Sequence, residues 1–386
     1  MEPASLFDET MKPTEDVYGT GIVPGQELRQ LVHVTREIRA IEPLLEDQIQ
    51  PASLDLRLGA CAYRVRASFL PGAKSTVQDK LKELSMHQMD LTNGGVLERG
   101  CVYIVPLQES LALKHRTSAL ANPKSSTGRL DIFTRVITDH GTEFDRVREA
   151  YKGPLYAEIS PRTFSVLVRT GSRLSQLRIR RGNPPTSDER LKALQQRFQL
   201  IDREVSDDEI RNGVPITVDV HGTANDGIIG YKAKNHAGLI DVDEVDRYEI
   251  RDFWDPVGSP GRQGLILDPA EFYILASRES VKVPPAFAAE MIAYDTLVGE
   301  FRVHYAGFFD PGFGDPSAGG EGAKAVLEVR SYEVPFVIED GQVVGRLMYE
   351  RLTSSPERLY GSALKSNYQR QGLRLSKHFK APAAQR

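Results

Sequence analysis

Apolar residues along the chain fall in short β-rich runs cut by glycine and proline turns, as strands do, and Pro51 to Gly59 and Pro215 to Gly222 alternate apolar with polar positions as half-buried strands do. The clearest runs are Cys101 to Val105, Ser165 to Val168, Leu265 to Ala276, Ala325 to Val329 and Gln342 to Tyr349. A mixed pattern of helical type occurs over Glu189 to Phe198, directly after the breaker cluster Gly182-Asn-Pro-Pro-Thr-Ser-Asp-Glu189. The expectation is a mainly β chain with few short helices, divided near residue 187.

The two parts share a weak internal repeat. Pro51-Ala-Ser-Leu-Asp-Leu-Arg-Leu-Gly59 is echoed by Pro215-Ile-Thr-Val-Asp-Val-His-Gly222, and Gly153-Pro-Leu-Tyr-Ala-Glu158 by Ala323-Lys-Ala-Val-Leu-Glu328. Gly171-Ser-Arg-Leu-Ser-Gln-Leu177 is echoed by Gly341-Gln-Val-Val-Gly-Arg-Leu347. The last two pairs have the same spacing, 158 to 328 and 171 to 341, which short strands rarely share by chance. Two domains are expected, 1–187 and 188–386, each a β barrel or sandwich.

At 386 residues the chain is long for one core and comfortable for two. Its 40% hydrophobic and 26% charged residues exclude wholesale disorder, and no apolar run is long enough to span a membrane. The acidic opening, Met1 to Gly19, lacks a basic-then-apolar export pattern, so a cytoplasmic setting is expected. A net charge of -4 gives no global attraction for nucleic acid. Cys61 and Cys101 are the only cysteines, too few for a thiolate zinc cluster. The eight histidines show neither HExxH nor the HxE…PCxxC of zinc-dependent base deaminases, so no metal ligands and no zinc are expected.

Three segments carry candidate chemistry. Asn122-Pro-Lys-Ser-Ser-Thr-Gly-Arg-Leu130 is basic, hydroxyl-rich and small, suited to a polyphosphate, although a solvated turn or helix cap reads the same way. Tyr305-Ala-Gly-Phe-Phe-Asp-Pro-Gly-Phe-Gly314 and the run Ala323 to Val329 suggest a long hairpin whose tip could bury a small planar ligand; Asp310 there also fits a plain turn-former. Glu328 lies in a strand otherwise of alanine, valine and leucine, where a carboxylate is costly unless paired or poised for proton transfer. Tyr360 to Gly372 is polar and aromatic, as a frayed tail or an anion-closing lid would be.

Together, in this order, these segments resemble the dCTP deaminase family of the dUTPase-like superfamily. The chain resembles a tandem duplication of that pattern, in its long form. The resemblance implies two dUTPase-like domains of the β-clip type. It also implies hydrolytic, zinc-independent conversion of dCTP to dUTP and ammonia, with Mg2+ arriving on the triphosphate. The copies have decayed unequally. The first keeps Lys-Ser-Ser-Thr-Gly-Arg at 124–129, but its hairpin reads Thr138-Asp-His-Gly-Thr-Glu-Phe-Asp145; the second keeps Asp310-Pro-Gly and Glu328, but reads Ala293-Tyr-Asp-Thr-Leu-Val-Gly299 where the Ser-Ser motif belongs.

Carried over by resemblance, Glu328 is the catalytic glutamate, and Ser125, Ser126 and Arg129 are phosphate and water-orienting positions, with Lys124 in place of the usual arginine. Asp310 meets the sugar, Val326 faces the base, and Tyr360 and Gln371 close on the triphosphate. Asn367 stands where the tail lysine belongs, so that role passes to Lys365, and Glu158 becomes vestigial or structural. The resemblance also implies a homo-oligomer, favouring a trimer of two-domain chains, with dTTP as an inhibitor. A dUTPase, a bifunctional enzyme continuing to dUMP, and a non-catalytic nucleotide sensor are the competing readings; Asp310-Pro-Gly-Phe-Gly is closer to the deaminase hairpin than to the DxxYxG of a dUTPase.

Overall fold

A computed structural model describes residues 19–183, 187–222, 227–293, 302–304, 307–331, 333–361 and 371–381. The chain is mainly β, in several small sheets that are antiparallel with one exception. In the first half, Val102–Ala112 and Ile132–Thr138 flank the central strand Lys152–Pro161, with Cys61–Val65 and Ser85–Asp90 beyond. A second sheet is built on Ser175–Arg181 and Thr117–Pro123.

The second half repeats this plan. Ala323–Arg330 is central between Phe272–Val281 and Arg302–His304, and Val343–Arg351 pairs with Phe287–Ala293. The registers repeat as well: Glu158 lies opposite Ile104 and Glu328 opposite Ile274, while Ser175 lies opposite Pro123 and Gly345 opposite Ala293. The Pro51 echo is out of spatial register, however. Leu58 bridges Leu107 and Val218 bridges Ser277, so Val218 is the counterpart of Leu58, whereas the sequence echo sets it against Leu54. A slip of four leaves every side chain on its own face, because strand faces alternate with period two, and alternation alone cannot detect it.

Helices are minor. Asp188–Phe198 forms where the sequence pattern places one, capped by the Ser187 hydroxyl accepting from the Arg190 N–H and ended by Gln199 in the left-handed region. The expected run Leu265 to Ala276 is instead two strands, Leu265–Leu267 and Phe272–Val281, split by a turn at Pro269-Ala270. The expected hairpin arm before Asp310 also divides: Arg302–His304 pairs with Ala323–Arg330, but Phe308–Phe309 crosses to Phe287–Ala293.

The halves are not packed as separate bodies. Val166–Val168 pairs in parallel with Ile240–Asp241, and the core of the first half takes in Trp254, Phe272, Ile274, Val326, Leu375 and Phe379 from the second. Period-two alternation explains how. On Ala323–Arg330, Ala325, Leu327 and Val329 enter the second half's own core. The intervening Val326, Glu328 and Arg330 therefore point to the first half. Arg330 anchors this contact: its guanidinium pairs with buried Asp131 and donates to the Thr163 hydroxyl at 2.9 Å.

Candidate active site

A cavity of about 220 Å³ lies where the two halves meet. From the first half it is lined by Lys124, Ser125, Ser126 and Arg129, and from the second by Asp310, Val326, Glu328, Tyr360 and Gln371. Nine of the ten positions expected from sequence therefore meet in one chain; the tenth, Lys365, lies outside the described residues.

The first wall is the single turn Ser125–Gly128, which begins as the strand Thr117–Pro123 ends. The N–H groups of Thr127 through Asp131 donate to the carbonyls of Lys124, Ser125, Thr127 and Gly128, and Ser125 and Ser126 at the start of the turn line the cavity. Lys124 is ion-paired with buried Asp55. Arg129 is almost fully buried and fixed on three sides: its Nε donates to the Ser125 hydroxyl at 3.1 Å, Nη1 to the Arg374 carbonyl at 2.9 Å and Nη2 to Gln371 Oε1 at 3.0 Å. One arginine thus ties the phosphate-type turn to the C-terminal segment.

The opposite wall is the strand carrying Val326 and Glu328 and the turn at Asp310. That turn needs its glycines: Gly312 has φ +92 and no room for a Cβ beside Leu359 and Tyr360, and at Gly314, φ +64, a Cβ would collide with the Val281 carbonyl. Tyr360 closes over the turn, its N–H donating to the Pro311 carbonyl at 2.8 Å and its ring 5.6 Å from that of Phe313.

Glu328 is 5% exposed. Burial pushes its carboxyl up to about 8; the nearby Arg129 guanidinium pulls it down and Asp131 pushes it further up. A carboxyl that titrates near neutrality beside a polar cavity can both accept and return a proton. Asp310 is likewise raised by burial, against the pull of Arg178.

Sequence reasoning missed Arg178, Lys377, Gln176 and Asp55. Arg178 is wholly buried between the halves: it pairs with Asp310 Oδ1 at 3.3 Å, donates to the Ala289 carbonyl at 3.0 Å and lies 4.0 Å from the centre of the Phe308 ring. Asp55 and Gln176 line the cavity from motifs used only to find the repeat. Their polar character at inward positions of apolar strands was the available signal.

Glu158, the counterpart of Glu328, has a different setting. Arg135 on the adjacent strand pairs with it at 2.6 Å and is itself sandwiched between Phe133 and Phe144. Glu158 does not line the cavity. Glu158→Gln should keep activity within about twofold of the parent. It should cost about 1–3 kcal/mol of stability through the lost partner of Arg135; parallel turnover and denaturation assays check both. Among the described residues no cluster of His, Cys, Asp or Glu could hold a metal ion, and no helix is long and apolar enough to cross a membrane.

Residues 19–183 match the N-terminal domain of the 2'-deoxycytidine 5'-triphosphate deaminase family, and residues 187–379 match its C-terminal domain. The crystal structure of 2'-deoxycytidine 5'-triphosphate deaminase from Agrobacterium tumefaciens is similar at 54% identity and a TM-score of 0.82, over 86% of this chain and 99% of that one. More distant are the curated dCTP deaminases, dUMP-forming, of Methanobrevibacter smithii (28% identical over 31% of this chain) and Halobacterium salinarum (31% over 33%). The chain spans only 59% and 61% of the length of those two relatives.

Proposed function

We propose, from the premise that this chain belongs to the 2'-deoxycytidine 5'-triphosphate deaminase family, that it hydrolyses dCTP to dUTP and ammonia at the cavity between its two halves, each half being a dUTPase-like barrel of the β-clip type. The observation that carries this reading is a buried glutamate, raised to about 8, in one cavity with a hydroxyl- and cation-rich turn from the other half.

Deamination requires addition of water to C4 of the cytosine, protonation of N3 and loss of the amine. Glu328 takes the proton from the attacking water, delivers it to N3, and then moves a proton to the departing nitrogen, so that ammonia leaves and the C4 oxygen becomes a carbonyl. Ser125, oriented by Arg129, positions the water, and the Arg129 charge stabilises the carboxylate form in which Glu328 begins. Ser126 and Lys124 receive the phosphates, Asp310 the sugar, and Val326 the base. Tyr360 and Gln371 close the site, Lys365 takes the role of the tail lysine, and Mg2+ carried on the triphosphate would supply charge neutralisation beside Ser126 and Lys124.

The general base must be ionised, so kcat/KM should rise from about pH 6 and level off above about pH 8. A profile flat across that range would remove Glu328 as the titrating base. Stability should move the other way. The folded-state pKa lies above the ordinary value of 4.5, so the folded chain binds the proton more tightly; the stability this group contributes is present below pH 4.5 and is lost as pH rises to about 8.

A second reading is favoured by the names of the distant relatives, which are dUMP-forming. Product analysis separates the two: dUTP and ammonia alone support the deaminase, whereas pyrophosphate and dUMP in step with ammonia support the bifunctional reaction. Tight dCTP binding with no ammonia at all would leave a nucleotide sensor. The expected oligomer, a trimer of two-domain chains, and inhibition by dTTP are tested by light scattering and by turnover in the presence of dTTP.

A further inference from the structure

We infer that Lys377 is a nucleotide-binding residue that meets the polyphosphate of the substrate and makes the site select a triphosphate; this deepens the dCTP reading above and rests on it. Lys377 follows the tail and lies in a segment, residues 371–381, that returns to the first half. It lines the same cavity as Lys124 and Arg129.

Its backbone is held from both sides. The Lys377 carbonyl accepts from the Asp246 N–H at 3.0 Å, and the His378 carbonyl accepts from the N–H groups of Arg247 and Tyr248 at 3.0 and 3.1 Å. The flanking side chains lock the segment to the phosphate-type turn. The Ser376 hydroxyl lies 2.8 Å from both the Ser126 carbonyl and His378 Nδ1, and His378 donates its Nε2–H to the Val242 carbonyl at 2.9 Å. Burial holds that imidazole down at about 4, so it stays neutral and serves as a peg. Phe379 packs edge-on against Phe253 and Trp254. A long cationic side chain set between two such anchors is aimed by the fold.

The electrostatics at the wall point to an anion. The charge of Lys377 is opposed first by burial and then by the neighbouring Lys124 ammonium, with Asp55 and Asp243 acting in its favour. Asp55 is already ion-paired with Lys124. Two ammonium groups therefore share one side of the cavity, and a group carrying several negative charges placed between them relieves both the repulsion and the desolvation. A triphosphate has that charge density, and a monophosphate, with about half as many negative charges, offsets the two ammonium groups less fully.

The test compares Lys377→Met and Lys377→Arg with the parent full-length protein, using calorimetric binding of inorganic tripolyphosphate and steady-state turnover of dCTP and dCMP. Lys377→Met should weaken tripolyphosphate binding and raise the KM for dCTP by about 10- to 100-fold, the value of one charge-assisted hydrogen bond. The loss should fall on KM rather than kcat, leave dCMP kinetics little altered and be largely recovered in Lys377→Arg. Equal tripolyphosphate affinity and equal dCTP KM in Lys377→Met and the parent would overturn the inference, even with the deaminase reading intact. A parent protein that binds tripolyphosphate in a Lys377-dependent way yet releases no ammonia from dCTP would overturn the deaminase reading instead.

Discussion

Replacing Glu328 with glutamine should lower kcat for ammonia release from dCTP by at least about 10³-fold, while dCTP binding stays within roughly an order of magnitude of the parent. The size follows from the double duty of this side chain. General acid–base catalysis contributes about 10²–10⁴-fold, and in the proposed mechanism the same carboxyl serves both the attacking water and the leaving amine. Glutamine keeps the volume and much of the hydrogen bonding but cannot take up the proton. It also removes a carboxyl whose ionisation is opposed by burial. The variant should therefore lose the decline in stability between pH 4.5 and about 8 that the parent shows. Retained turnover would move the catalytic base elsewhere in the cavity, to Asp55 or Asp310.

The second large effect is on folding. Arg178→Ala should cost about 3–5 kcal/mol, because it leaves the carboxylate of Asp310 buried without its partner, and it also removes the contacts to the Ala289 carbonyl and the Phe308 ring. The damage should concentrate at the junction between the halves, since every one of these partners belongs to the second half while Arg178 belongs to the first. A double variant, Arg178→Met with Asp310→Leu, should recover much of the loss, because a buried ion pair replaced by apolar groups of similar volume is often close to neutral. Denaturant midpoints of the two variants check this; an Arg178→Ala midpoint equal to the parent's would mean the pair contributes nothing to joining the halves.

The difference between Glu328 and Arg178 shows what a sequence can reveal. Glu328 was legible because it interrupts an apolar strand, a local contradiction that needs no knowledge of the rest of the fold. Arg178 sits in Ser175-Gln-Leu-Arg-Ile-Arg-Arg181, among three arginines, and which of them is buried depends on which sheet faces that strand. Lys377 was hidden for another reason: composition near a terminus reads as fraying, whereas this segment is held by Ser376, His378 and Phe379. The mainly β character, the repeat and the helix after Ser187 followed from local pattern. The four-residue slip at Pro51 and the splitting of two expected strands did not, because alternation fixes the face of a strand but neither its register nor its partner.

The unequal decay of the two copies has a physical counterpart in the alternation of Ala323–Arg330. One face of that strand belongs to the second half's core; the other carries Val326, Glu328 and Arg330 to the first half, where Asp131 and Thr163 receive Arg330. The first half's equivalent glutamate is instead neutralised by Arg135. Under the proposed function, a chain arranged in this way needs only one intact turn of the Lys124–Arg129 kind and one intact glutamate, provided the two meet.

Whether they meet within a single chain is tested most directly by complementation. Arg129→Ala and Glu328→Gln each disable a different half. When the two variants are unfolded, mixed and refolded together, a site shared between chains would recover roughly a quarter of parental ammonia release by random pairing. A site built inside one chain, as the cavity between residues 124–129 and Glu328 is, should recover none. No activity above that of the separate variants is the expected result; recovery toward a quarter would contradict it.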